Sequence, residues 1–162
     1  MIDPSTFREI MAAAPGPAAV VTATGTTSGH QGLTMTAVCS VSLTPPMLLV
    51  CLDHNSNTLA AIRESGSFTV NYIAEGHDDV ALRFATKTAT KFDGIDIAEA
   101  ADIGGPVLTE YAAAHAVCQT ATLVDAGDHT VVVGSVVAGR VHGDRQVLAY
   151  AKRTFFTAAS QS

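Results

Sequence analysis

Two runs near the C-terminal end, Ala112 to Val124 and His129 to Val141, are rich in valine, threonine and alanine. Only the acid–glycine stretch Asp125-Ala126-Gly127-Asp128 lies between them. Long β-branched runs around a short glycine turn predict an antiparallel hairpin. Other segments read the same way. Ala18 to Thr24 is a strand, Thr26-Thr27-Ser28-Gly29 is turn chemistry, and a hairpin partner starts near His30 and runs on through Ser42. Pro45-Pro46 breaks that run before the apolar strand Met47 to Leu52, and Phe68 to Ile73 alternates as a further strand. Pro106 to Leu108 is short and extended, and Val147 to Phe156 closes the chain.

Helices are few and short. Thr6 to Ala14 has Ser5 as a candidate N-cap and stops at Pro15-Gly16-Pro17. Asn57 to Glu64 follows the loop Asp53-His54-Asn55-Ser56, turns Leu59 and Ile62 inward and ends at Gly66. Asp78-Asp79 opens a helix carrying Val80 and Phe84, where acidic residues suit the dipole. Thr86 to Asp96 is a polar loop with two lysines. Strands joined mostly by hairpins predict a mainly β protein, an antiparallel barrel with short helical insertions. No GxGxxG precedes a helix, which argues against a Rossmann dinucleotide site.

A length of 162 residues suits one domain, 1–162, with its core at about 7–156. Hydrophobic residues make up 48% and charged ones 15%, so a homo-oligomer covering apolar surface is expected. The net charge of −6 and scattered basic residues exclude a phosphate-backbone stripe, so no nucleic-acid partner is expected. Apolar runs are too short to span a bilayer, and MIDPSTFREIM has no signal-peptide core, which points to the cytoplasm. Cys39, Cys51 and Cys118 read as reduced, buried thiols. Six histidines without metal-ligand spacing give no reason to expect a metal.

Four features can carry chemistry, and each has a plain alternative. Alternation over Thr34 to Ser42 sets Met35, Ala37, Cys39 and Val41 on one face and Thr34, Thr36, Val38, Ser40 and Ser42 on the other. That hydroxyl row either binds a polar aromatic ligand or is a solvated strand face. Asn55-Ser56-Asn57-Thr58 is either an anion site at a helix N-terminus or an ordinary cap. Lys87 and Lys91 either add positive charge to that site or are solvated. His129, at a hairpin tip, and Arg153, near Tyr150, are either groups at the mouth of a pocket or surface residues.

Taken in order along the chain, these motifs resemble the short-chain flavin reductase family, the reductase components of two-component flavin-dependent monooxygenases. The resemblance starts with Gly32-Leu33-Thr34-Met35-Thr36-Ala37-Val38-Cys39-Ser40-Val41-Ser42, Pro45-Pro46 and Leu48 to Leu52. It continues through Ser56-Asn57-Thr58, Ser65 to Asn71, Arg83-Phe84-Ala85, Lys91-Phe92 and Gly105-Pro106-Val107-Leu108. Cys118, Gly127-Asp128-His129-Thr130, Val133-Gly134 and Tyr150 to Phe155 complete it.

The resemblance implies a Greek-key split β-barrel that binds FMN or FAD, works as a homodimer and passes hydride from NADH, or NADPH, to flavin for a separate monooxygenase. It implies that Thr34, Met35, Thr36 and Ala37 line the flavin ring and that Cys51, Leu52 and Asp53 give backbone contacts. Ser56, Asn57 and Thr58 would hold the flavin phosphate with Lys91, flanked by Phe84 and Phe92. His129 would contact the nicotinamide as the catalytic group, with Tyr150 and Arg153 nearby. Thr36, Ala37 and Val38 depart from the family's usual asparagine or serine and larger aromatic, and Phe155-Phe156 stands where tyrosine is common. The rival within the same barrel is a flavin-binding protein without efficient reductase activity. An oxidase of the pyridoxine-phosphate type would call for a basic cluster that this lysine- and arginine-poor chain lacks.

Overall fold

The computed structural model describes residues 1–100 and 103–157; the remaining residues of the expected domain, 101–102 and 158–162, lie outside it. In chain order the elements are α1 (Pro4–Ala13), β1 (Gly16–Pro17), β2 (Ala19–Gly25), β3 (Gly29–Met35), β4 (Val38–Leu43) and β5 (Pro46–Asp53). Then come α2 (Asn57–Ser65), β6 (Ser67–Ile73), α3 (Asp78–Ala85), β7 (Ala112–Ala126), β8 (His129–Val141), β9 (Ala149–Ala151) and β10 (Thr154–Phe156). The fold is mainly β and antiparallel, as the strand pattern predicts.

Seven strands form one sheet in the order β3-β2-β6-β7-β8-β5-β4. Its two edges, β3 and β4, are consecutive in the chain and only Thr36 and Ala37 lie between them. A sheet whose opposite edges are joined by two residues must curl until those edges meet. The edges meet without pairing, so the barrel is split.

This corner corrects the single run expected from His30 through Ser42. Met35 and Val38 both face the barrel core, where they pack with Val21, Val50, Leu52, Phe68 and Val70. One is odd-numbered and the other even, so the alternation slips by one register across Thr36–Ala37. The hydroxyl row expected along Thr34 to Ser42 is therefore not one face.

β2 is buried on both sides, sending Ala19, Val21 and Ala23 into the barrel and Val20, with Ala18 just before the strand, into a second core under α3. Ile73, Val80, Phe84, Leu108 and Leu148 complete that second core. On the same face of β2 and β6 as the second core runs a polar seam. Asn71, fully buried, donates to the Val20 and Pro106 carbonyls and accepts from Leu108 N at 2.9 Å. Thr22 and Thr69 donate to Pro106 O and Gly105 O. The segment Gly105–Leu108 is thereby fixed, and its contact is close: a Cβ on Gly105 would lie 2.3 Å from the Thr22 carbonyl carbon.

Local signals hold at α2, where Ser56 Oγ accepts from Leu59 N and Gly66 closes the helix at φ 70°. They fail at α1: Asp3, not Ser5, is the N-cap, accepting from Ser5 N and Thr6 N, with Pro4 in the first turn. The closing segment is a hairpin rather than one strand, because Lys152 and Arg153 turn the chain at φ 48° and 63°. Of the three thiols only Cys118 is buried; Cys39 is exposed on the edge strand β4. Among the described residues no helix is long and apolar enough to cross a membrane.

Candidate active site

A cleft of about 670 Å³ opens between β3, the start of α2 and the loop after α3. That volume suits a small-molecule site. The alternation that turns Leu33 and Met35 toward the barrel turns His30, Gly32 and Thr34 toward the cleft.

The wall around Gly32 is tightly built. A Cβ there would lie 2.9 Å from Phe84 Cε1 and 3.3 Å from Phe92 Cζ, so glycine lets the two rings close over the strand. Those rings meet edge to face, 5.0 Å apart. Lys91 Nζ donates to Gly32 O at 3.0 Å and to Phe84 O at 3.1 Å, which ties strand, helix and loop together. Two of its three donors are thus committed, and burial pushes the Lys91 ammonium below the usual lysine range. Arg83 Nη2 donates to Thr90 O and Asp93 O, fixing the loop further. Thr34 Oγ1 donates to Ala81 O at 2.6 Å. Its proton is therefore used within the protein, and only its lone pairs face a ligand.

Opposite stands the polar start of α2. Ser56 N donates to Asp53 O at 2.9 Å and Asn55 N to Asp53 Oδ1 at 2.7 Å, a compact turn that delivers the chain into the helix. Ser56 satisfies Leu59 N, while helix geometry gives the Asn57 and Thr58 amides no intrahelical acceptor. These amides, the positive end of the helix dipole and the nearby Lys87 suit an anion. Among the described residues lining the cleft, Asp53 is the one carboxylate.

His129 is not among the residues that line the cleft; it stands beside it, directly across the ladder from Asp53, which does line it. Its Nδ1 lies 2.7 Å from Asp128 Oδ1. That contact assigns the proton to Nδ1 and leaves Nε2 as the nitrogen for a ligand. The hydrogen bond from His129 holds the Asp128 carboxyl below its ordinary value.

Of the residues singled out from the sequence, Thr34, Asp53, Ser56, Asn57, Thr58, Phe84, Lys91 and Phe92 line this one cleft. Met35 and Leu52 are buried in the barrel core instead. Cys51 is half-buried and its N–H donates to Ala37 O across the strand pair. Thr36 and Ala37 form the exposed corner, where Thr36 abuts Gly16, the register partner of Tyr150. Tyr150 packs against Phe155 with the rings tilted by 57°, and Arg153 sits in the turn between their strands. Tyr150 and Phe155 belong to the small β1-β9-β10 sheet and Arg153 to its turn, and all three lie outside the cleft lining.

Sequence reasoning missed Ser28, His30 and Gln31, which also line the cleft. The parity of Thr34 was the available signal for His30. Its Nδ1 lies 3.0 Å from Thr24 Oγ1, its Nε2 3.4 Å from Glu99 Oε1, and its ring rests on Phe92.

A split barrel with an anion-accepting cleft beside its corner defines a class of small ligand-binding β-barrels, and known proteins narrow it. Residues 11–159 match the family model described as flavin reductase like domain. A flavin reductase (NADH) of Kitasatospora aureofaciens is 42% identical over 139 residues, 86% of this chain and 73% of that one. The reductase subunit of a flavin-dependent monooxygenase from Mycobacterium tuberculosis is 36% identical over 135 residues, 83% of this chain and 71% of its own. The solved NADH:FAD oxidoreductase of Streptomyces globisporus, in complex with NAD and FAD fragments, superposes with a TM-score of 0.91 at 26% identity, covering 100% of this chain and 98% of that one. The chain belongs to the flavin reductase family.

Proposed function

We propose that this protein is an NADH-dependent flavin reductase that binds FMN or FAD in the cleft and supplies reduced flavin to a separate monooxygenase. The observation that carries the reading is the cleft's division into an interlocked aromatic wall and a helix N-terminus with two uncommitted amides. The residues present fit a flavin phosphate there: the amides of Asn57 and Thr58, the hydroxyl at Ser56 and the positive helix end favour an anion. Flavin, when bound, supplies the hydride acceptor.

The chain's own residues do the rest. Phe84 and Phe92 form a dry side to the cleft, and Lys91 holds their backbone in place. Thr34 offers hydroxyl lone pairs to the ligand. Thr36 and Ala37 extend the first motif around the corner; with Met35, Cys51 and Leu52 they contribute through backbone position. His129 orients the nicotinamide through Nε2, its ring set by Asp128, and Tyr150 and Arg153 flank the same side. Direct hydride transfer asks for alignment more than for proton transfer, and one carboxylate among the described lining residues suits that. NADPH is accepted less well, since no arginine cluster offers itself to a further phosphate.

We also assign a homodimer. Phe7, Ile10 and Met11 of α1 are exposed, none of α1 is buried, and Leu43 on edge strand β4 is 88% exposed. Apolar surface of that kind calls for cover, and a second copy provides it. Residues 1–162 act as one domain in this reading. The free cysteines accord with work in the cytoplasm.

The test is NADH and NADPH oxidation by the purified protein, with and without FMN, FAD or riboflavin. Oxidation that requires added or bound flavin and runs faster with NADH is the expected result. Flavin binding with no oxidation would replace the reductase by a flavin-binding protein. No effect of any flavin would remove both.

A further inference from the structure

At the tip of the β7–β8 hairpin, one carboxylate oxygen gathers groups from three elements. Asp125 Oδ1 accepts from Thr130 Oγ1 at 2.9 Å. It also lies 3.5 Å from Arg63 Nη2 and 3.6 Å from His54 Nε2. Arg63 Nη2 donates to Thr130 Oγ1 at 3.1 Å, which closes a triangle. Thr130 is fully buried, so its hydroxyl depends on these two partners.

The elements so joined are the ones that bear the proposed ligand contacts. Arg63 lies on α2, whose first turn is the polar wall of the cleft. His54 lies in the loop that enters α2, and its N–H donates to Asp128 O at 3.0 Å. Thr130 follows His129, and Asp125 faces Thr130 across the ladder. The tip itself is a two-residue turn, Gly127–Asp128, with exposed side chains around it. The backbone of His129 is held by its ladder pairing with Asp53 and by the His54–Asp128 bond; the Asp125 cluster adds the side-chain tie from the tip to α2 itself.

We propose that Asp125 is a positioning residue, which holds the hairpin tip against α2 and so sets the His129 ring at a fixed place beside the cleft. The inference rests on the proposed function, in which His129 contacts the nicotinamide. Ion pairs this exposed contribute little to stability. Their geometric effect is separate, since a small misplacement of a positioning group is costly to a transfer reaction. Asp125 therefore matters for the nicotinamide substrate more than for the fold.

The experiment compares wild type, Asp125→Ala, Asp125→Asn, His129→Ala and the Asp125→Ala/His129→Ala double variant. NADH KM and kcat at saturating flavin, flavin Kd and Tm are measured for each. Asp125→Ala is expected to raise NADH KM about fivefold, the scale of one lost hydrogen bond, with flavin Kd changed by less than about twofold. Asp125→Asn keeps an acceptor oxygen for Thr130 and Arg63 and is expected to restore most of the loss. Because Asp125 acts through His129, the double variant is expected to be no worse than His129→Ala alone. An unchanged NADH KM in Asp125→Ala, a flavin Kd that worsens equally, or fully additive effects would overturn the proposal.

A readout without turnover separates this inference from the reading beneath it. The His129 ring resonances are expected to shift or broaden in Asp125→Ala; identical resonances overturn the positioning role. A wild-type protein that oxidises no NADH with flavin removes the proposed function instead, and leaves the ring measurement to decide the brace.

Discussion

On one side of the cleft, Gly32, Phe84, Phe92 and Lys91 interlock through ring contacts and a half-buried ammonium bound to two carbonyls. On the other, a side-chain cap at Ser56 and a small polar cluster at the hairpin tip, Asp125 and Asp128 both exposed, hold the wall. The first wall is continuous with the second core, where Phe84 packs with Val80 and Leu108. The second rests on α2, whose Leu59, Ala61 and Ile62 belong to the barrel core, so it is the exposed and half-exposed groups at the cap and the tip that can change without disturbing a core. Stability and recognition are thus concentrated on opposite sides, and substitutions on the two sides should separate them.

The largest effect is expected from Phe84→Ala. It removes a fully buried ring from the second core and should destabilise the fold by about 3–5 kcal/mol, read by denaturant unfolding. A loss under about 1 kcal/mol, the scale of a surface change, would mean that this wall is not a structural one. Next comes Lys91→Met, which leaves the Gly32 and Phe84 carbonyls without their donor and should cost about 1–2 kcal/mol. Lys91→Met should also weaken flavin binding, because the strand, helix and loop it joins frame the cleft. Unchanged stability would show that the ammonium serves the ligand alone.

The smallest effect lies at the tip. The Asp128 carboxyl is lowered by its hydrogen bond from His129, so the contact contributes above the ordinary carboxylate value of 3.8 and is lost as pH falls through the depressed one. In His129→Ala the Asp128 pKa, followed by NMR of the carboxyl carbon, should rise back toward 3.8 with Tm nearly unchanged. A value that stays low would mean that other groups hold the carboxylate.

The same contrast governs what could be read from the sequence. α2 announces itself through Ser56, Leu59, Ile62 and Gly66, because caps and one buried face are local properties. The β7–β8 hairpin does so through two long β-branched runs around Gly127. The Thr36–Ala37 corner is hidden, since alternation looks unbroken until both edges of the sheet are known to meet there. The β9–β10 turn is hidden too. Lys152 and Arg153 carry no turn chemistry, yet both adopt positive φ, a conformation that the surrounding strands impose. In the site, Ser56 to Thr58 were legible as a cap, whereas Phe84 and Phe92 came together only through the family resemblance; their ring contact joins a helix to a loop and leaves no local mark. The Asp125 brace was not legible either, because Arg63 and Thr130 are 67 positions apart and nothing local marks them as partners.

Division of the site into a phosphate wall and a nicotinamide side is tested most directly by saturation curves for two variants. Ser56→Asp keeps an N-cap acceptor for Leu59 N but puts a negative charge where the flavin phosphate would bind. His129→Ala removes the ring beside the cleft. Flavin is varied at fixed NADH, and NADH at fixed flavin, for wild type and both variants. The expected result is that Ser56→Asp moves only the flavin curve and His129→Ala only the NADH curve. Both variants moving both curves alike, or each moving the other's, would contradict the division.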